Sequence, residues 1–252
     1  MSGQAMPGVS QRVQRRILHR RPNTKELKGI LMTTTTNAVN ATQPGAAEDV
    51  LKFIATDSDI IVPIGFGEPP TPLDTIEDHA IELNRVRIHQ MHPFIARRYI
   101  RGEFGDHLRH IDYYLGPGSR QAFWDGTCDL VPNHFSEMPL LPRRVHPSLV
   151  IARAAGPDEH GYLSLGTNAD YASAFIGEVP FFLEVTAGQP FTNRQNLIHV
   201  SPLAGWIRSD AGFPAITHRP PAPQDEAIAG HIADLIPNGA CLQAASPSRC
   251  RT

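Results

Sequence analysis

Charge is scarce in this sequence. Asp, Glu, Lys and Arg make up 19% of 252 residues, against about 25% in an ordinary globular domain, and the formal net charge is only -2. That near-balance argues against a nucleic-acid binder, which needs a basic surface for the phosphate backbone. Three cysteines, Cys128, Cys241 and Cys250, are too few and too dispersed for a disulfide framework or a paired-cysteine zinc site. A reducing compartment, the cytoplasm, fits them. No run of about 18 apolar residues occurs, so no membrane span is expected. Low charge does not mean disorder, because hydrophobic residues reach 41%. The 23 prolines point to many ordered turns instead of long helical repeats.

The charge present is unevenly placed. Residues 1–40 hold seven basic side chains, from Arg12 to Lys28, against the single acid Glu26, which leaves the remainder acidic. Such an Arg-rich leader suits a disordered tail, a start placed upstream of Met32, or a mitochondrial transit peptide. The expected organisation is a disordered basic leader over 1–44, an α/β domain over 45–243 and an atypical tail over 244–252.

Within the domain, apolar spacing predicts helices over Ala46–Asp57, Thr71–Asn84, Gly118–Trp124, Ala169–Ile176 and Asp225–Leu235. A Pro-rich linker, His218–Pro223, precedes the last of these. Short apolar runs predict strands over Asp59–Pro63, Val86–Met91, His110–Leu115, Asp129–Pro132, Ser148–Ala152 and Pro180–Val185. Strands that alternate with helices predict an open, mostly parallel sheet with helices on both faces.

Few short motifs point to chemistry. Gly65-Phe66-Gly67 follows a strand and opens a helix, where backbone can approach a ligand closely. The dinucleotide fingerprint fails there because Pro70 stands at the third glycine position, and no Walker lysine follows. His89 with His92, and His107 with His110, have three-residue spacing, but satisfied or surface histidines account for both pairs and no metal is expected. Neither Ser119 nor Ser164 lies in a nucleophile elbow, and Cys128 reads as a small buried residue. The densest polar cluster is Pro157-Asp158-Glu159-His160-Gly161-Tyr162, just past the end of a buried strand.

Read together, these segments resemble the acetyl-CoA hydrolase/transferase family, which includes acetate and 4-hydroxybutyrate CoA-transferases. The resemblance covers the family's N-terminal half, from about Ala46 to Gln243. Pro157 to Gly166 carries it most specifically. The glycine turn, Ser136-Glu137-Met138-Pro139, Ile198-His199-Val200-Ser201, and Ile236-Pro237-Asn238-Gly239-Ala240 with Leu242-Gln243 follow the family's order.

The resemblance implies one of two similar α/β/α halves. It also implies acyl-CoA and a small carboxylate as substrates, with the coenzyme A thioester as substrate and not as a bound cofactor. Transfer, or hydrolysis when water is the acceptor, would run through an acyl-glutamyl anhydride and a glutamyl-CoA thioester. Gly65, Phe66, Gly67, Pro69, His160, Gly161 and Gly166 would line the substrate crevice. The family's nucleophilic glutamate belongs to its second half, which no residue here matches, so a partner half or a homo-oligomer is expected to complete the site. A truncated, non-catalytic relic or interaction subunit is the alternative. Among resident carboxylates, Glu68, Glu103, Glu137 and Glu159 are the possible replacements, with Glu159 the weak candidate favoured by loop position.

Overall fold

The computed structural model describes residues 43–213 and 220–242, which fall into two compact units, one up to residue 213 and one after it. The basic leader before residue 43, the first two residues of the expected linker (His218 and Arg219) and the 244–252 tail lie outside the described residues.

The first unit is built on a seven-stranded sheet with every pairing parallel. Its strands are β1 (Asp59–Val62), β2 (Val86–Gln90), β3 (Leu108–Asp112), β4 (Cys128–Leu130), β5 (Leu149–Ala154), β7 (Phe181–Val185) and β9 (Gly205–Arg208), in the order β4-β3-β2-β1-β5-β7-β9. β6 (Tyr162–Ser164) and β8 (Leu197–His199) form a separate antiparallel ribbon. The chain therefore builds outward from β1 on one side through β4, then returns to the other side of β1 with β5.

Burial on both faces explains the strand composition. Along β5, Leu149 and Ile151 pack into one apolar cluster, while Val150, Ala152 and Ala154 pack into the other. Alternate side chains of a strand point to opposite faces, so a doubly covered strand reads as an unbroken apolar run. One face is covered by α1 (Pro70–Asp78), through Leu73 and Ile76, and by α2 (Arg120–Trp124), through Ala122. The other is covered by the 3-10 helix Tyr171–Phe175 and by Leu163 and Ile198 of the ribbon. The open parallel α/β class holds, and its second face is roofed by 3-10 turns and a ribbon.

Several boundaries differ from expectation for identifiable reasons. The helix expected over Ala46–Asp57 is a 3-10 helix, Ala47–Phe53, held at its start by an Ala46 N–H bond to Asp49 Oδ2 and at its end by an Ile54-to-Leu51 bond. β3 stops at Asp112, not Leu115, because Asp112 Oδ1 accepts from the N–H groups of Tyr113 and Tyr114 at 2.7 and 2.9 Å. β4 starts at Cys128, which pairs with His110. β5 runs on past Ala152 through a buried arginine, Arg153. The Thr71–Asn84 helix ends at Asp78 and gives way to a 3-10 turn, Ala80–Glu82, and Tyr171–Phe175 is 3-10. β6, β8 and β9 were not anticipated.

The second unit holds α3 (Pro223–Ala233), close to the expected Asp225–Leu235. Proline at its first position and the Ala222 N–H bond to Asp225 Oδ2 set its start. Among the described residues, no helix is long and apolar enough to cross a membrane.

Candidate active-site crevice at the carboxyl edge of the sheet

The loops after β1 and β5 leave the sheet in opposite directions, and a crevice at such a switch point is where open α/β sheets receive ligands. The loop after β1 is the glycine turn, one 3-10 turn closed by Gly67 and Glu68 N–H bonds to Ile64 and Gly65 carbonyls at 3.0 and 3.1 Å. Gly65 has φ +52°, and a Cβ there would stand 3.0 Å from the Phe94 ring. At Gly67 a Cβ would lie 2.5 Å from Pro63 Cβ and 2.9 Å from Asn168 Cγ. Glycine at both positions thus follows from backbone conformation or close approach.

The loop after β5 begins with Gly156-Pro157, a cis peptide. Asp158 Oδ1 then accepts from the N–H groups of His160 and Tyr162 at 3.0 and 2.8 Å, which folds Asp158–Gly161 into the tip of a hairpin. Tyr162 in β6 pairs with His199 in β8, and Val200 N–H donates to the Gly161 carbonyl at 2.9 Å. A Gly161 Cβ would stand 3.0 Å from His199 Nε2, so two separate sequence motifs form one ribbon. Ser164 Oγ donates to the Thr192 carbonyl at 2.6 Å and accepts from Gly166 and Thr192 N–H, each at 3.1 Å. Gly166, with φ +63°, lies against the Gln189 side chain.

The two loops meet through residues just beyond the signature. Asp170 Oδ2 accepts from Ile64 N–H at 2.8 Å, while Oδ1 caps the next 3-10 helix through Ala172 N–H at 2.8 Å. Tyr171 Oη donates to the Val62 carbonyl at 2.5 Å and accepts from Met91 N–H at 3.1 Å, which ties the ends of β1 and β2. Burial pushes the Asp170 carboxyl up to about 6, against the lowering pull of the Ala172 and Ile64 N–H groups. Asn168 is buried beside Gly67, and its Nδ2 has no partner among the described residues.

Partly exposed aromatic groups cluster beside the glycine turn. Phe66 packs edge-to-face on Phe94 at 5.2 Å and on Phe213 at 5.7 Å, and His92 packs on Phe94 and Tyr114 at 5.3 and 5.4 Å. His92 is held at φ +53°, an uncommon conformation for a side-chain-bearing residue. Beneath them runs a buried polar belt. Glu68 Oε1 accepts from Arg97 Nε at 2.7 Å, and Oε2 accepts from Gln90 Nε2 at 3.0 Å. Glu184 of β7 accepts from Thr71 N–H at 2.9 Å and from Thr71 Oγ1 at 3.2 Å. Arg153 donates to the Gly212 carbonyl at 2.9 Å and stacks over Phe213, which backs Phe66.

Gly65, Phe66 and Gly67 thus share one turn, joined to the signature's end by Asn168 and Asp170, and Pro69 follows as the N-cap residue of α1. His160 and Gly161 sit at the hairpin tip, with Glu159 and His160 strongly exposed and 3.5 Å apart. Glu103 is exposed and paired with Arg98 and Arg101, and Glu137 is exposed. The histidine pairs separate: His89 is buried, donates from Nε2 to Asp59 Oδ1 at 2.8 Å and meets Tyr113 Oη at 2.8 Å. Its side chain leaves the strand on the face opposite Gln90, whereas His92 belongs to the following loop. His107 is exposed and bonded to the Leu83 carbonyl, while His110 is buried in β3. Asn168, Asp170, Tyr171, Phe94 and Phe213 escaped the sequence reading. The only local signal was Asn168-Ala169-Asp170-Tyr171, two polar residues and a tyrosine directly after the signature.

No family model matches the chain. It is similar to a succinyl-CoA:cyclohexane-1-carboxylate CoA transferase of Geobacter metallireducens, 31% identical over 183 residues, which are 72% of this chain and 42% of that protein. A 4-hydroxybutyrate coenzyme A transferase of Clostridium kluyveri is 27% identical over 202 residues, 78% of this chain and 47% of that one. The crystal structure of RipA from Yersinia pestis has the same fold, with a TM-score of 0.76 at 23% identity over 84% of this chain and 53% of that one. A 4-hydroxybutyrate CoA-transferase structure from Porphyromonas gingivalis gives a TM-score of 0.64 at 21% identity over 78% of this chain and 46% of its own. The chain spans somewhat under half the length of these curated relatives.

Proposed function

Because this chain is a relative of the CoA transferases, matched over about three quarters of its own length, we propose that it supplies one wall of an acyl-CoA site. There CoA is moved between an acyl group and a small carboxylate. The observation that carries this reading is the meeting of the glycine turn and the signature's end at the β1/β5 switch point, through Gly67 against Asn168 and Ile64 N–H on Asp170. The aromatic rim of Phe66, Phe94 and Tyr114 suits the apolar part of an acyl-CoA, and backbone N–H groups at the turn suit the oxyanion of an attacked thioester.

The nucleophile in this proposal is a glutamate from a second half, on another chain or another copy. A carboxylate attacks the thioester carbonyl to give an acyl-glutamyl anhydride and CoA thiolate, and the thiolate returns to form glutamyl-CoA as the acyl carboxylate leaves. In this reading no resident carboxylate is assigned that role. Both Glu68 oxygens are occupied by Arg97 and Gln90, and Glu159 faces solvent at the hairpin tip.

The test is calorimetric binding of CoA and acetyl-CoA to the full chain, with acetyl-CoA turnover measured alone and with a CoA-transferase second half added. Binding by the chain, with turnover only after that addition, is the expected result. Gly67→Ala, whose new methyl meets Pro63 and Asn168, should cost about 1–3 kcal/mol of stability and weaken CoA binding. A folded chain that binds no CoA in either setting sinks the proposal and leaves the non-catalytic reading. Turnover by the chain alone sinks the second-half nucleophile.

A further inference from the structure

His110, Asp112 and Cys128 take no part in the crevice. In the paired strands β3 and β4, His110 lies opposite Cys128. The two-residue spacing of His110 and Asp112 turns both toward the same face of the sheet. All three are buried, with 0%, 0% and 3% of their surface exposed. One donor atom from each lies within 4.8 Å of the other two, and His110 Nε2 stands 3.7 Å from Asp112 Oδ2.

What distinguishes this cluster from ordinary core packing is its unmet hydrogen bonding. Neither His110 nitrogen has a hydrogen-bond partner among the described residues, nor does Asp112 Oδ2. Buried polar atoms left unpaired are costly, and native interiors hold few of them. The other Asp112 oxygen is fully used, because Oδ1 accepts from Tyr113 and Tyr114 N–H. That anchoring fixes the carboxylate and leaves Oδ2 beside His110, the support that a ligating carboxylate receives from its surroundings.

We propose that His110, Asp112 and Cys128 form a binding site for a single borderline divalent cation, Zn2+. Imidazole, carboxylate and thiolate are its usual donors, whereas a thiolate disfavours Mg2+ and Ca2+. A carboxylate and a thiolate balance the two positive charges, so the buried site carries no net charge. Binding replaces the Cys128 S–H bond with an S–Zn bond, and the proton leaves to water. Bonds of about 2.0–2.3 Å at tetrahedral angles put nitrogen and oxygen donors roughly 3.3 Å apart, a few tenths of an ångström closer than the 3.7 Å seen here. The ion would pin β4, the outermost strand on its side, to β3.

The full chain, stripped with a chelator, is titrated with Co2+ as the spectroscopic stand-in and then with Zn2+. The expected result is one equivalent of Co2+ with a thiolate-to-cobalt charge-transfer band in the near ultraviolet, bleached by Zn2+. Cys128→Ser removes the band, and Cys241→Ser with Cys250→Ser leaves it. Asp112→Asn, close in shape, keeps the circular dichroism spectrum and weakens Zn2+ binding by at least about 10-fold. Substoichiometric uptake overturns the proposal, as does binding without the band, a band that survives Cys128→Ser, or a folded Asp112→Asn protein that binds Zn2+ as tightly as the parent.

Discussion

Glu68 and Arg97 show what single side chains do at the carboxyl edge. Both are almost wholly buried, and their 2.7 Å ion pair fastens the far end of the glycine turn to the segment after β2. Removing Arg97 strands the buried Glu68 charge, whereas Arg97 without Glu68 keeps Asp74 at 2.7 Å. Arg97→Ala should therefore cost about 3–5 kcal/mol in urea denaturation, and Glu68→Gln, which keeps its shape and one acceptor, clearly less. Equal losses would show that packing, not charge, sets the effect. Asp170 makes a pH-dependent contribution. Its carboxyl titrates near 3.8 when unfolded and at about 6 in the fold, so the folded chain favours its protonated form. That contribution is complete below pH 3.8 and is lost as the pH rises through about 6, with at most about 3 kcal/mol at stake. Stability relative to Asp170→Asn should fall by up to that amount between about pH 4 and about pH 7. A flat difference across that range would remove Asp170 as the titrating group. None of these partnerships was legible in the sequence, because Glu68 and Arg97, like Ile64 and Asp170, meet only after the chain has folded.

Helix α1 has no side-chain cap of its own, since Pro69 stands at its N-cap position. Glu184, brought across from β7, replaces it by accepting from Thr71, so a negative charge sits against the positive end of the helix. Glu184→Ala should loosen α1 by about 1–2 kcal/mol. Hydrogen exchange in the first turn of α1 should speed up in this variant more than exchange in β3. Uniform acceleration would instead assign Glu184 to global stability. Elements themselves were readable where burial is complete on both faces, as in Ile60-Ile61-Val62 or Leu149-Val150-Ile151. They were hidden where a strand is too short to show a pattern, as in the three residues of β6 and of β8, which bury one apolar side chain each, Leu163 and Ile198. The 3-10 segments share helical apolar spacing with α-helices. Their short span and local caps, such as Asp170 on Ala172, decided the tighter winding.

At the scale of the whole molecule, the parallel α/β class followed from alternating apolar runs and helices, but strand order did not. Nothing local in Leu149–Ala154 says that β5 passes β4, β3 and β2 to lie beside β1. That placement turns two distant motifs into one crevice, and it explains why the signature looked like a self-contained turn when read alone. Strand order also governs how the chain can assemble as it is made. β1 finds β2, β3 and β4 within the first 130 residues, yet its other edge stays bare until Leu149 pairs with Ile60. Translation proceeds from the N-terminus, so every nascent chain passes through a stage with a four-stranded sheet whose apolar central strand has an open flank. A nascent chain from which β1 to β4 have emerged, but β5 has not, would hold out that flank for strand addition by a neighbouring chain.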